Sequence, residues 1–176
     1  AGAHTWRTAR DIADDWAAIL TVVDRQAHLA AYAGPGGWND PDMLQVGNGD
    51  LSLGASRAQV SLWSLLAAPL FVGSDLRTLS DSALNLLTNE AVLAVNQDPA
   101  GVQGRRVRSH PNYGVWSRPL SGGDFAAVVL NRGDEHREIT TSAAELEMPD
   151  ADEYAVRDLW DGEERTTDGR LRASVP

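Results

Sequence analysis

The chain has 176 residues, is 43% hydrophobic and carries a formal net charge of −10 with a pI near 4.7. That acidity excludes nucleic acid as a partner, since backbone phosphates require a basic patch. No apolar run approaches the roughly 18 residues that span a bilayer, so no membrane partner is expected either. Cysteine is absent, which removes disulfides and thiolate metal sites and decides nothing about secretion, and all fifteen basic residues are arginine.

The first informative stretch is Trp6-Arg7-Thr8-Ala9-Arg10-Asp11-Ile12, followed by Asp14, Asp15 and Trp16. Ile12, Trp16, Ile19, Leu20 and Val23 recur at three- and four-residue spacing, which predicts a helix over 12–30. Acids gathered in its first turn suit the positive end of the helix dipole. Asp11 then stands at or just before the helix start, where it is either an N-cap or an acid with chemical work to do. Asp14 and Asp15 read as first-turn helix acids. Arg7 and Arg10 are placed to hold a neighbouring carboxylate ionised or to bind substrate hydroxyls.

Next comes Gly34-Pro35-Gly36-Gly37-Trp38-Asn39-Asp40-Pro41-Asp42-Met43, too rich in glycine and proline for a helix and read as a strand end opening into a loop. Pro41 pushes Asp40 toward an extended conformation, so Asp40 and Asp42 are expected on opposite sides, one reaching into a site and one bracing the loop. Solvated carboxylates in an Asp-Pro turn are the alternative. Trp38 beside them suits stacking on the apolar face of a sugar.

Residues 56–67 predict a helix with Val60, Trp63, Leu65 and Leu66 on its apolar side, and 69–72 predict a short, buried parallel strand. Ser80 and Thr88 are candidate N-caps for short helices at 81–87 and 89–95. Beyond Asp98-Pro99-Ala100-Gly101 the pattern becomes that of strands, at 113–117, 125–130, 137–141 and 154–159. Turn signals at 121–124, 132–134, 161–162 and 168–169 separate them. The class is therefore α/β plus all-β, with a boundary near residue 102. Trp116 and Trp160 read as core of the strand region. His4, His28, His110 and His136 are scattered, and the acids form no calcium loop, so neither metal nor cofactor is expected.

Three of these stretches, in this order, resemble glycoside hydrolase family 27, the α-galactosidase and α-N-acetylgalactosaminidase family. They are Trp6-Arg7-Thr8-x-x-Asp11-Ile12, the run Ala33 to Leu44, and Ala67-Ala68-Pro69-Leu70-Phe71-x-x-Ser74-Asp75-Leu76-Arg77 with Asn96-Gln97-Asp98-Pro99 beyond it. Val115-Trp116-x-Arg118-Pro119-Leu120 extends the likeness. The resemblance implies the last part of a (β/α)8 barrel over residues 1–102, followed by an incomplete antiparallel β-sandwich over 103–176. A chain truncated at both ends is the expectation, since a closed barrel alone takes about 250 residues. The inner helix faces at Ile19, Leu20, Leu65 and Leu66 are then expected to lack cover.

The resemblance also implies hydrolysis of terminal α-galactosides with retention, which uses one carboxylate as nucleophile and another as general acid and then base, about 5–5.5 Å apart. By the same resemblance Asp11 is the acid/base, Arg7 binds sugar hydroxyls, Asp42 hydrogen-bonds the galactose-like ring and Met43 lines the site. Asn39 and Asp40 support the loop. The family's nucleophile lies in a Lys-Tyr-Asp motif on the fourth barrel strand, and this chain contains no lysine and no such motif. The implied partner is a galactose-containing oligosaccharide or glycoconjugate, and the alternative is a non-catalytic carbohydrate-binding or scaffold piece. Activity on α-N-acetylgalactosaminides or β-L-arabinopyranosides is left open. Oligomeric state and location are open too, an extracellular full-length parent being compatible with the sequence.

Overall fold

The structure, a computed structural model, describes residues 2–176. Strand β1 (Thr5–Arg7) lies parallel to β2 (Trp38–Asp40), with Thr5 opposite Trp38, Trp6 opposite Asn39 and Arg7 opposite Asp40. Helix α1 (Trp16–Gln26) and a 3-10 turn (Ala30–Tyr32) connect them, the crossover that parallel pairing demands. After β2 the chain makes one more parallel contact. The Leu44 N–H donates to Phe71 O (2.7 Å) and the Gly73 N–H donates to Leu44 O (2.9 Å). Helix α2 (Leu53–Leu65) bridges these two segments, and α3 (Asp81–Leu87) and α4 (Glu90–Asn96) follow.

Several expected elements shift. The helix predicted over 12–30 begins only at Trp16, because Asp15 is its N-cap and accepts the Ala17 N–H at 2.8 Å. Neither Asp11 nor Asp14 is in the helix, and Asp14 instead accepts the Asp50 N–H at 2.8 Å. The run 69–72 is not a buried strand, Phe71 and Val72 being 54% and 37% exposed. Among the described residues only Leu44 pairs alongside it, so it stops at a single bridge. Ser80 caps α3 as its sequence suggests. Thr88, however, ends that helix by bonding back to Leu84 O, and Asn89 caps α4.

The second half is all strand. β3 (Arg105–His110), β4 (Tyr113–Pro119) and β5 (Phe125–Asn131) form an antiparallel sheet. β6 (Arg137–Ser142) pairs with β9 (Arg170–Val175), and β7 (Tyr154–Arg157) pairs with β8 (Glu164–Thr167). Strands β3, β8 and β9 escape the sequence reading because β3 and β8 are almost wholly polar and β9 interleaves its few apolar residues with arginine and serine, leaving little apolar contrast. The chain is thus a mixed α/β region followed by an antiparallel β-sandwich.

Strand β4 is buried on both faces. Val115 joins Ile139 and Leu146 in the sandwich core, while the next residue, Trp116, joins the core built by Ile19, Val23, Val60, Leu62, Trp63 and Leu65 of α1 and α2. This packing corrects the expectation of bare helix faces: Ile19, Leu65 and Leu66 are buried and Leu20 is partly so. Arg118, two residues on, points the same way as Trp116. Its Nη1 donates to Ser64 O (2.9 Å) and Val95 O (2.6 Å), carbonyls at the C-terminal ends of α2 and α4, where a cation meets the negative pole of the dipole. Burial pulls the Arg118 guanidinium below its ordinary pKa, with Asp98 opposing the shift.

Candidate active site

The site forms where β1 and β2 end and their loops begin. Asp42 is its buried centre. Its backbone takes a left-handed φ of 84°, a conformation aspartate tolerates better than most residues. Asp40 Oδ1 fixes that turn by accepting the Asp42 N–H at 2.8 Å, and the buried indole of Trp63 donates to the Asp42 carbonyl at 2.7 Å. Gln59, also on α2, donates to Met43 O (3.2 Å) and accepts the Gln45 N–H (2.8 Å), so one helix holds the loop on both sides of the turn.

The Asp42 side chain, 7% exposed, accepts the Met43 N–H on Oδ1 (2.9 Å) and the Ile12 N–H on Oδ2 (2.8 Å), and Arg7 Nη2 lies 2.8 Å from Oδ2. A carboxylate offers about four acceptor positions. With these contacts made, one acceptor position on Oδ1 has no partner among the described residues. The same Arg7 nitrogen lies 3.2 Å from Asp11 Oδ1, and the Asp11 side chain is 100% exposed. Arg7 therefore ties two carboxylates of opposite character, one locked by backbone donors and one open to solvent. Asp11 caps no helix, and Met43 is exposed beside them.

The structure thus brings Arg7, Asp11 and Asp42 into direct contact and places Met43 next to Asp42. Asp40 braces the loop, as its sequence position suggests. Trp38 is packed at its ring tip. Gly101, with φ 60°, comes so close that a Cβ there would lie 2.9 Å from Trp38 Cη2 and 3.0 Å from Pro35 Cγ, which only glycine relieves.

Beneath the strand ends runs a buried polar chain that sequence reasoning missed. Trp6 Nε1 donates to Asn39 Oδ1 (2.8 Å), and Asn39 Nδ2 donates to Leu29 O (2.7 Å) and Gln103 Oε1 (2.8 Å). Gln103 Nε2 donates to Gln26 O (3.2 Å), Gln26 Nε2 donates to Thr8 Oγ1, and that hydroxyl donates to Asp40 O (2.9 Å). Nothing local singles out Gln26, which follows Asp24 and Arg25, or Gln103, which precedes Gly104 and Arg105, and neither position names a partner. Among the described residues no group of three or more His, Asp and Glu is arranged to hold a metal ion, and no helix is long and apolar enough to cross a membrane.

Residues 1–98 match the family model for alpha galactosidase A, and residues 111–176 match the alpha galactosidase C-terminal beta sandwich domain. The chain belongs to glycoside hydrolase family 27, the α-galactosidase family. It is 43% identical over 172 residues to an alpha-galactosidase of Oryza sativa subsp. japonica, a match covering 98% of this chain and 41% of that protein. An alpha-N-acetylgalactosaminidase of Gallus gallus is 44% identical over 165 residues, 90% of this chain and 41% of that protein. The crystal structure of a family 27 β-L-arabinopyranosidase from Geobacillus stearothermophilus superposes with a TM-score of 0.89 at 26% identity, covering 98% of this chain and 42% of that one. This family 27 chain therefore spans about two fifths of the length of these relatives.

Proposed function

We propose that the full-length protein hydrolyses terminal α-linked galactosides with retention of configuration, and that this chain supplies its acid/base and part of its sugar site. The observation that carries the reading is the single guanidinium of Arg7, which touches a fully exposed Asp11 and a buried, backbone-anchored Asp42 at once. A general acid must reach the leaving oxygen, and Asp11 has that access. A residue that orients the sugar must itself be rigid, and Asp42 is held by Ile12, Met43, Asp40 and Trp63.

In the first step Asp11 gives its proton to the glycosidic oxygen as the C–O bond breaks, while a carboxylate from outside these 176 residues bonds to the anomeric carbon. In the second, the Asp11 carboxylate takes a proton from the water that displaces this ester, restoring both groups. Arg7 and the remaining acceptor of Asp42 Oδ1 receive sugar hydroxyls, with Met43 against the ring. Galactose is the proposed sugar on the strength of the plant relative. NMR of the first-formed anomer tests the mechanism: α-galactose is expected, and β-galactose overturns it. Aryl glycosides of N-acetylgalactosamine and arabinopyranose, run beside the galactoside, test the sugar.

A further inference from the structure

Away from the strand ends, an open pocket of about 440 Å³ lies where α1 meets the β3–β4–β5 sheet, lined by Asp24, His28, Arg106, Ser109, His110 and Arg132. Arg132 meets Asp24 end-on, with Nη1 2.9 Å from Oδ1 and Nη2 2.8 Å from Oδ2, while Arg106 Nη1 lies 2.5 Å from the same Oδ1. Arg106 also lies over the Trp116 ring, 5.6 Å from its centroid. The two arginine side chains are 16% and 17% exposed. Two largely buried guanidinium groups thus share one carboxylate.

The lining contains no second acid. The cluster therefore carries excess positive charge inside a chain whose net charge is −10. A charge taken out of water and left unbalanced is costly until a counter-charge completes it. Each guanidinium has five donors in a planar fork, and Asp24 occupies only some of them, so N–H groups remain for a second oxyanion. The rim adds to this. His110 stacks on Tyr113, and its Nδ1 accepts the Asn112 N–H at 3.2 Å, which leaves Nε2 as its donor. His28 is exposed on the other side, and Ser109 contributes a hydroxyl.

We propose that this pocket binds a sulfate or phosphate group, free or carried on a sugar, across the junction of helix and sandwich. The charged and titratable groups lining it are Asp24 and His28 from the α1 side, Arg106 and His110 of β3 and Arg132 after β5, with Tyr113 of β4 stacked against His110.

The test is calorimetric titration of the full-length protein with sodium sulfate, against sodium chloride at equal ionic strength and neutral pH. Saturable binding specific to sulfate is expected. Arg132→Met should weaken it by about tenfold. His28→Ala, at an exposed position, should weaken it more modestly. Asp24→Asn should tighten binding by removing the competing carboxylate, a gain that a purely structural ion pair does not give. No heat beyond the chloride control, or affinities unchanged in all three variants, overturns the proposal. Titration with galactose 6-sulfate separates the two sources: a gain over inorganic sulfate assigns the sugar-borne group, and equality assigns the free ion.

Discussion

The indole N–H of Trp63 donates to the backbone carbonyl of Asp42 across 2.7 Å, in the buried interior and 21 residues apart in sequence. It joins the core of α2 to the one turn of the candidate site that runs through left-handed backbone. Trp63→Phe deletes the donor and also shrinks a fully buried ring, leaving a small cavity. The orphaned carbonyl alone should lower stability by about 1–3 kcal/mol, with the cavity adding to it, read from the denaturant midpoint. In the full-length enzyme the same variant should raise KM for a galactoside more than it lowers kcat, since Asp42 is proposed to bind the sugar and not to transfer protons.

Asp11 is assigned the proton transfers. Asp11→Asn in the full-length protein should slow natural oligosaccharides severely and spare formation of the glycosyl intermediate from activated aryl galactosides, whose leaving groups depart unprotonated. External azide should then restore part of the turnover. Unchanged rates on natural substrates would remove Asp11 from the mechanism.

Asp24 makes the junction sensitive to acid. Burial raises its pKa, but the hydrogen bonds and charges of Arg132 and Arg106 outweigh this and hold it below its ordinary 3.8. A carboxylate with a lowered folded-state value favours folding at neutral pH, and that contribution is lost as the pH falls through the folded value. Wild type should therefore be more stable than Asp24→Asn at any pH above about 4, with the gap closing below it. Thermal melts across the acid range check this, and a gap independent of pH would show that the pairing contributes nothing through ionisation.

Expressed alone, the 176-residue chain should be hydrolytically inactive and prone to associate. The reason is the strand side of the molecule, where all of β1 is exposed and, among the described residues, pairs only with β2, and where Trp6, Met43, Phe71 and Leu76 lie open. Size-exclusion chromatography beside an aryl α-galactoside assay tests both halves. Turnover by a soluble monomer would place the nucleophile within this chain.

Much of this was legible in the residues because local rules agreed with the fold. Pro41 after Asp40 does place one carboxylate in a bracing role, Ser80 does cap α3, and the Gly-Asp turns do separate the strands they flank. The Arg7, Asp11 and Asp42 cluster was reachable only through the family resemblance, since 30 residues separate Asp42 from the Ile12 amide it accepts. Where reading failed, tertiary contacts had overridden local pattern. Ile12 fits the helical spacing, yet its N–H is taken by Asp42, and the helix waits for the Asp15 cap. Strand β3 carries five polar or charged residues in its six, and its pairing with β4 is visible only once Trp116 is seen to need a cover. Gln59 and Gln103 look like ordinary polar residues until their partners are known.

Gln103 has a consequence for anyone who recombines these proteins. It lies beyond the last helix, yet its side chain hydrogen-bonds Asn39 and the carbonyl of Gln26, and the following Gly104 donates its N–H to Leu65 O at 2.9 Å. A chimera that exchanges sandwiches between homologues at residue 102 inherits a foreign side chain at this position and severs a network assembled under β2. Crossovers placed after residue 104 keep the donor and its acceptors from a single lineage. Libraries bred on either side of that point should differ sharply in the fraction of hybrids that remain soluble.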